Sequence, residues 1–430
     1  MVNKKSVATP NHAVAQSNAA KQRQKRGPHS LSAAAAPVAT NNNVDDDNKE
    51  EPNRPRNLLI TDATQPFTFT FSHGGATKTT TSITVHQTPE EETWPGGALW
   101  DLGVLLAHVL VALSHGGQTN VTLTSDSTTG EISRGKKTIH RSIILPSRMQ
   151  GLINGFFQNR NSPLHQKTLL ELGCGVGLTG LVAAAAIEPK LSILTDLPVV
   201  IDRVTVPNVE RNFTIAASSG TSAGRSLDSR PGPRPRTIHK KGHAKIVAVP
   251  LSWGNAMDEQ LVKNIFHFYS TPLLSKHGRH KKGAISQSEE ASFYGVIDGG
   301  TPLPSIILIG DVAYQHKPGA DSHFDALLST LLEFTTTSSN SKHGENSNNN
   351  YDGNSCDDST PLVIFGTRIR MPASHDLLHM LLEHFVELVI PPLEAHEIDP
   401  ESFLGRKHNM TIHFLTRKKQ SPSEAEFKDR

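Results

Sequence analysis

The 430 residues would fill two or three ordinary domains, but only 36% are hydrophobic and the polar residues are bunched, so one domain with long insertions is expected. The 43 Lys+Arg nearly balance the 41 Asp+Glu, which offers no overall electrostatic case for nucleic acid. Cys174 and Cys356 exclude a disulfide framework and point to a reducing compartment, no apolar run reaches the roughly 18 residues of a membrane span, and no signal-peptide core is visible.

Residues 1–56 read as a disordered tail with basic patches, an Asn run and Asp45-Asp46-Asp47. Within it, Lys21-Gln22-Arg23-Gln24-Lys25-Arg26 reads as a solvated basic stretch or as a nuclear-import signal, and the region also suits an organelle transit peptide. The expected locations are the cytoplasm and, through that basic run, the nucleus.

From Pro66, Phe67, Phe69 and Phe71 alternate with Thr, and after Gly74-Gly75 the same period of two returns at Ile83 and Val85, which predicts a β-hairpin. Trp100 to Leu110 is continuously apolar and predicts a buried helix. Short apolar runs then alternate with helical patterns, the signature of a largely parallel sheet. Strands are expected at 168–172, 191–195, 246–249, 306–309, 362–367, 386–390 and 410–416, with helices at 177–187, 198–212, 322–334 and 373–385. The domain is expected over 57–418, interrupted by polar insertions near 114–145, 216–243, 271–303 and 335–360 and followed by a short tail, 419–430.

Leu170-Glu171-Leu172-Gly173-Cys174-Gly175-Val176-Gly177-Leu178 falls where the first of these strands passes into a helix. Glycines there let the chain turn tightly and a ligand approach the backbone at the carboxyl edge of the sheet, where open α/β folds bind ligands. A dinucleotide loop needs G-x-G-x-x-G, and Leu178 stands where its third glycine belongs. Glu171 would oppose a pyrophosphate and favour the cationic groups of S-adenosylmethionine. Asp196, at the end of the next strand, suits the ribose hydroxyls of either cofactor, or caps the helix at Pro198, or does both. Cys174 reads as a small packing residue. The run His277-Gly278-Arg279-His280-Lys281-Lys282 lacks metal-ligand spacing and reads as a basic loop.

With Leu99-Trp100-Asp101, Thr195-Asp196-Leu197-Pro198, Asn208-Val209-Glu210-Arg211-Asn212, Leu251-Ser252-Trp253-Gly254, Asp311-Val312-Ala313-Tyr314 and Thr367-Arg368-Ile369-Arg370 in the same order, the chain resembles the methyltransferase family 16 type. The resemblance implies a doubly wound, seven-strand class I methyltransferase sheet, Rossmann-like, that takes S-adenosylmethionine and most often modifies a protein lysine. It implies that Trp100 covers the cofactor, Gly173, Cys174 and Gly175 follow its methionine part, Asp196 holds the ribose, Trp253 packs near the adenine, and the Gly310 backbone lines the pocket. It places Asp311 and Tyr314 at the entering lysine. Arg368 and Arg370 read as ion-pair residues or as walls of the substrate channel. A monomer acting on a protein substrate, with no metal, nucleic acid or membrane, is the resulting expectation. Other acceptors (protein His or Arg, or a small molecule) and a silent methyltransferase-fold scaffold stay open beside it.

Overall fold

Two sheets of opposite design organise the chain, and a helix buried on all sides separates them. The computed structural model describes residues 65–72, 79–90, 93, 95–126, 136–160, 162–213, 236–241, 244–270, 303–310, 312, 323–336, 360–368, 372–398 and 409–418, all within one unit spanning Pro55–Arg430. The expected tails, the basic run at 21–26, and Asp311, Tyr314 and Arg370 lie outside these residues, as do 271–302 and 337–359.

The first sheet holds β1 (Phe67–Ser72), β2 (Thr80–Val85), β3 (Gln118–Asp126) and β4 (Lys136–Ile144), all antiparallel, in the order β2-β1-β3-β4. The expected hairpin is thus half of a larger sheet. The stretch 114–145, read from its polarity as an insertion, supplies the other half. Its Thr and Ser residues alternate with Val121 and Leu123, which turn inward and are buried with Phe67, Phe69 and Phe71.

The second sheet holds β5 (Thr168–Leu172), β6 (Leu191–Asp196), β7 (Arg236–Lys241), β8 (Ala244–Pro250), β9 (Ile306–Gly310), β10 (Leu362–Arg368), β11 (Phe385–Glu387), β12 (Leu393–Glu394) and β13 (Met410–Arg417). Its order is β11-β13-β10-β9-β5-β6-β8-β7, with β12 also on β13. Strands β8, β6, β5, β9 and β10 are mutually parallel, whereas β13 runs antiparallel to β10. Every strand expected from the apolar runs is present, the 386–390 one as the shorter Phe385–Glu387. Strand β7 falls in the expected 216–243 insertion and pairs antiparallel with β8.

Consecutive residues of the parallel strands face opposite cores. Leu169, Leu194, Ile306 and Leu308 join the helices α1 (Asp101–Ser114) and α3 (Leu178–Ile187), while Leu170, Ile193, Ile307 and Ile309 join α6 (Ala256–Ser270), α7 (Phe324–Glu333) and α8 (Pro372–His384). Helix α1 lies between the two sheets, and Leu102 and Val104–Leu113 are all buried, which is why it is apolar on every side. Short pieces complete the chain: α2 (Gln150–Leu152) runs into a wide π turn, α4 (Pro198–Val200) and α5 (Val206–Asn212) flank another, and α9 (Ala395–Ile398) follows β12. Among the described residues no helix is long and apolar enough to cross a membrane.

Candidate active site

The carboxyl ends of β5, β6, β8 and β9 converge on the glycine loop. Gly173 and Gly175 adopt φ of 72° and 53°, left-handed values that a side chain tolerates poorly. The Gly173 and Cys174 N–H groups both donate to the Thr195 carbonyl at 2.9 Å, which fastens the loop to β6. Asp196 then takes hold of it from the side, with Oδ2 accepting from the Gly175 N–H at 2.8 Å and Oδ1 from the Leu197 N–H at 2.7 Å.

Three segments press on the loop. A Cβ on Gly173 would lie 3.0 Å from Val312 Cγ1, after β9, and 3.4 Å from Trp253 Cζ2, after β8. One on Gly175 would lie 3.0 Å from the Gly96 carbonyl, in the turn before α1. That turn is fixed by Trp100, whose indole N–H donates to the Pro95 carbonyl at 3.1 Å. Gly310 ends β9 against α1, where a Cβ would come within 2.9 Å of Leu106 Cδ1, so an alanine there would require the Leu106 side chain to shift. Trp100, Gly173, Cys174, Gly175, Asp196 and Trp253 are therefore assembled at one edge of the sheet, with Gly310 at the end of the neighbouring strand.

Glu171 departs from its expected placement. Its side chain points inward, only 4% exposed, and accepts a hydrogen bond from the Gly180 N–H in the first turn of α3. The residue preceding that helix is Gly177, which has no side chain to cap it, so Glu171 serves as the cap from the strand below. Burial first, and Asp196 less strongly, push its carboxyl up to about 8, and Oε2 has no hydrogen-bond partner among the described residues. Burial also raises Asp196, to about 6, against the opposing pull of the Gly175 and Leu197 amides. Near neutral pH the negative charge of this edge therefore resides on Asp196 and not on Glu171. Burial raises the Cys174 thiol well above its usual value, and Sγ sits 3.5 Å from Thr205 Oγ1, an arrangement for packing.

Thr205 and Asn208 have positions that their residue types alone did not announce. Thr205 donates to the Gly175 carbonyl at 2.8 Å. Asn208 donates to the Val176 carbonyl at 3.0 Å and to the His86 carbonyl at 2.9 Å, and accepts from the His86 N–H, joining the loop to β2. Asn212, one helical turn on, bonds both backbone groups of Thr84. The i, i+4 spacing of the two asparagines was the available signal.

Residues 78–223 match the lysine methyltransferase family model. The matched span runs from just before β2 through the glycine loop and Asp196 to beyond α5, while Trp253, Gly310 and Val312 lie outside it. No curated protein matches the chain. The family match supports a methyltransferase, the activity that the ordered motifs implied. Arg368 ends β10 with a guanidinium nitrogen 4.0 Å from Asp101 in the first turn of α1, an ion pair that ties the strand to that helix.

Proposed function

We propose that the chain transfers a methyl group from S-adenosylmethionine to a lysine side chain of a protein substrate. The observation that carries this reading is the meeting of Gly173, Trp253 and Asp196 at one strand edge. It offers a flat apolar face, a stretch of backbone without side chains and the Asp196 carboxylate, the sparse polar anchoring that small cofactor pockets use.

When bound, S-adenosylmethionine supplies an electrophilic methyl that an amine takes, releasing S-adenosylhomocysteine. The residues bind and aim. Each Asp196 oxygen already takes one amide N–H and keeps a further lone pair for a ribose hydroxyl. Trp253 offers its ring to the adenine, and Trp100 closes the site from the side of α1. Val312, beside the loop, has Asp311 as its chain neighbour, which favours Asp311 as the acceptor that orients the amine, with Tyr314 as the aromatic wall. A free lysine near pKa 10.4 is neutral in only about one molecule in 2,500 at pH 7, so favouring the neutral amine is a real part of the task. Orientation alone can supply roughly 7 to 11 kcal/mol of the barrier reduction.

Calorimetry with S-adenosylhomocysteine and NADH tests the cofactor, and NADH binding without S-adenosylhomocysteine binding overturns it. Asp196→Ala is expected to weaken S-adenosylhomocysteine binding by about 1.5 to 3 kcal/mol. Labelled S-adenosylmethionine with a cell extract identifies the acceptor by mass spectrometry. On that acceptor, Asp311→Ala is expected to lower turnover by about 10² while cofactor affinity holds.

A further inference from the structure

A buried polar chain lies between α6 and α7, where apolar packing would be expected. Thr330, fully buried on α7, accepts the Gly254 N–H at 2.8 Å and donates to Glu259 Oε1 on α6 at 2.7 Å. Glu259 is itself only 8% exposed. Burying a carboxylate is costly unless its hydrogen bonds are made, so the Thr330 hydroxyl offsets at Glu259 a cost that apolar residues at the two positions would not incur. What the chain holds is the turn that carries Trp253. The turn is held on its other side as well, because the Ser252 N–H donates to Asp258 Oδ2 at 3.0 Å, and Asn255 Oδ1 accepts from the Met257 and Asp258 amides. From α7, Ala326 lies one helical turn before Thr330, and its Cβ would be 3.3 Å from a Cβ on Gly254. The turn is thereby fixed in two directions, and the Trp253 ring emerges against Gly173.

We propose that Thr330 and Glu259 are positioning residues that hold the Trp253 turn against the glycine loop, and so set the indole face offered to the cofactor. The second half of this statement rests on the cofactor reading above; the first does not. The sequence contains three tryptophans, so a Trp94→Phe/Trp100→Phe background leaves Trp253 as the sole indole. In that background, without ligand, Thr330→Val is expected to red-shift the emission and raise acrylamide quenching, and Thr330→Ser to restore both. Glu259→Leu should reproduce the valine variant, while Glu259→Gln, which keeps an acceptor oxygen, should resemble the parent. Glu259→Leu also covers the case in which Thr330→Val does not fold. In the native-tryptophan protein, Thr330→Val should weaken S-adenosylhomocysteine binding about tenfold, the loss of one buried hydrogen bond's worth of order. Unchanged quenching in folded Thr330→Val and Glu259→Leu overturns the positioning role. Raised quenching in a protein whose parent binds no S-adenosylhomocysteine upholds that role and overturns the cofactor reading instead.

Discussion

Strands β5, β6, β8, β9 and β10 are covered on both faces, whereas β1 to β4 are covered on one. The first group therefore consists of unbroken apolar runs, with Thr168–Leu172 and all of Leu191–Thr195 buried. The second alternates. Phe67, Phe69 and Phe71 are buried while Thr68 and Thr70 face outward and bond across to Thr84 and Ser82 at 2.9 and 2.8 Å. Both sheets cover α1, so the one that looks polar in sequence is as much a wall of the core as the one that carries the site.

The largest test of that equivalence removes Gln118–Ile144 and rejoins the chain with a short linker. The loss would strip Val121, Leu123 and Ile143 from the core and uncover β1, on the order of 10 kcal/mol of burial against a typical total stability of about 5 to 15. An unfolded or aggregated product by circular dichroism is expected. Shortening 271–302, within the insertion expected from the sequence at 271–303, should leave S-adenosylhomocysteine affinity unchanged. If the first deletion folds and binds, the sheet of β1 to β4 is an accessory.

This contrast also explains what could be read without coordinates. The parallel strands and the glycine loop were legible because burial on both faces leaves strong signals: five- to seven-residue apolar runs, and glycines at the strand end. Strands β3 and β4 were not, since a strand with one wet face spends half its residues on Thr, Ser, Lys and His and then resembles a loop. Strand β7, Arg236-Thr-Ile-His-Lys-Lys241, is also polar in sequence and fell within an expected insertion. At the site, Asp196 and Trp253 were legible as motif residues, but the inward turn of Glu171 was not. It depends on Gly180 standing across from it in α3, where a Cβ would lie 2.3 Å from Glu171 Oε2, a tertiary fact that no local pattern encodes.

A smaller effect should come from Asn208, which joins the two regions. Asn208, 1% exposed, bonds the glycine loop at Val176 and both backbone groups of His86, which follows β2. Asn208→Ala leaves those groups without their partner and is expected to cost about 2 to 3 kcal/mol by denaturant titration. Because the Val176 carbonyl belongs to the loop, S-adenosylhomocysteine affinity should fall as well. Asn212→Ala, which touches only β2 and its own helix, should lower stability and leave affinity alone. Equal effects of the two on binding would show that the loop does not depend on the sheet of β1 to β4.

The smallest effects, per pH unit, separate the regions by sign. Glu171 lies beneath the glycine loop, and burial raises its carboxyl from 4.5 to about 8. His108 lies on α1 with its ring 5.2 Å from that of Phe69 in the other sheet, and burial, with Arg141 adding to it, lowers its imidazole from 6.5 to about 3. The folded protein keeps the Glu171 proton where the unfolded chain has lost it, so this contribution is full below pH 4.5 and disappears as pH rises towards 8. For His108 the unfolded chain takes up a proton that the folded protein refuses, so the contribution is full above pH 6.5 and disappears as pH falls towards 3. Each slope is at most about 1.4 kcal/mol per pH unit. Relative to wild type, Glu171→Gln should therefore gain about 2 kcal/mol between pH 6.5 and 8, and His108→Leu about 2.7 kcal/mol between pH 6.5 and 4.5, whatever their stabilities at pH 6.5. Denaturant titrations at matched ionic strength measure both. A Glu171→Gln profile parallel to wild type above pH 6.5 would mean that the carboxyl ionises in place, and the charge of the glycine loop would then be shared between Glu171 and Asp196.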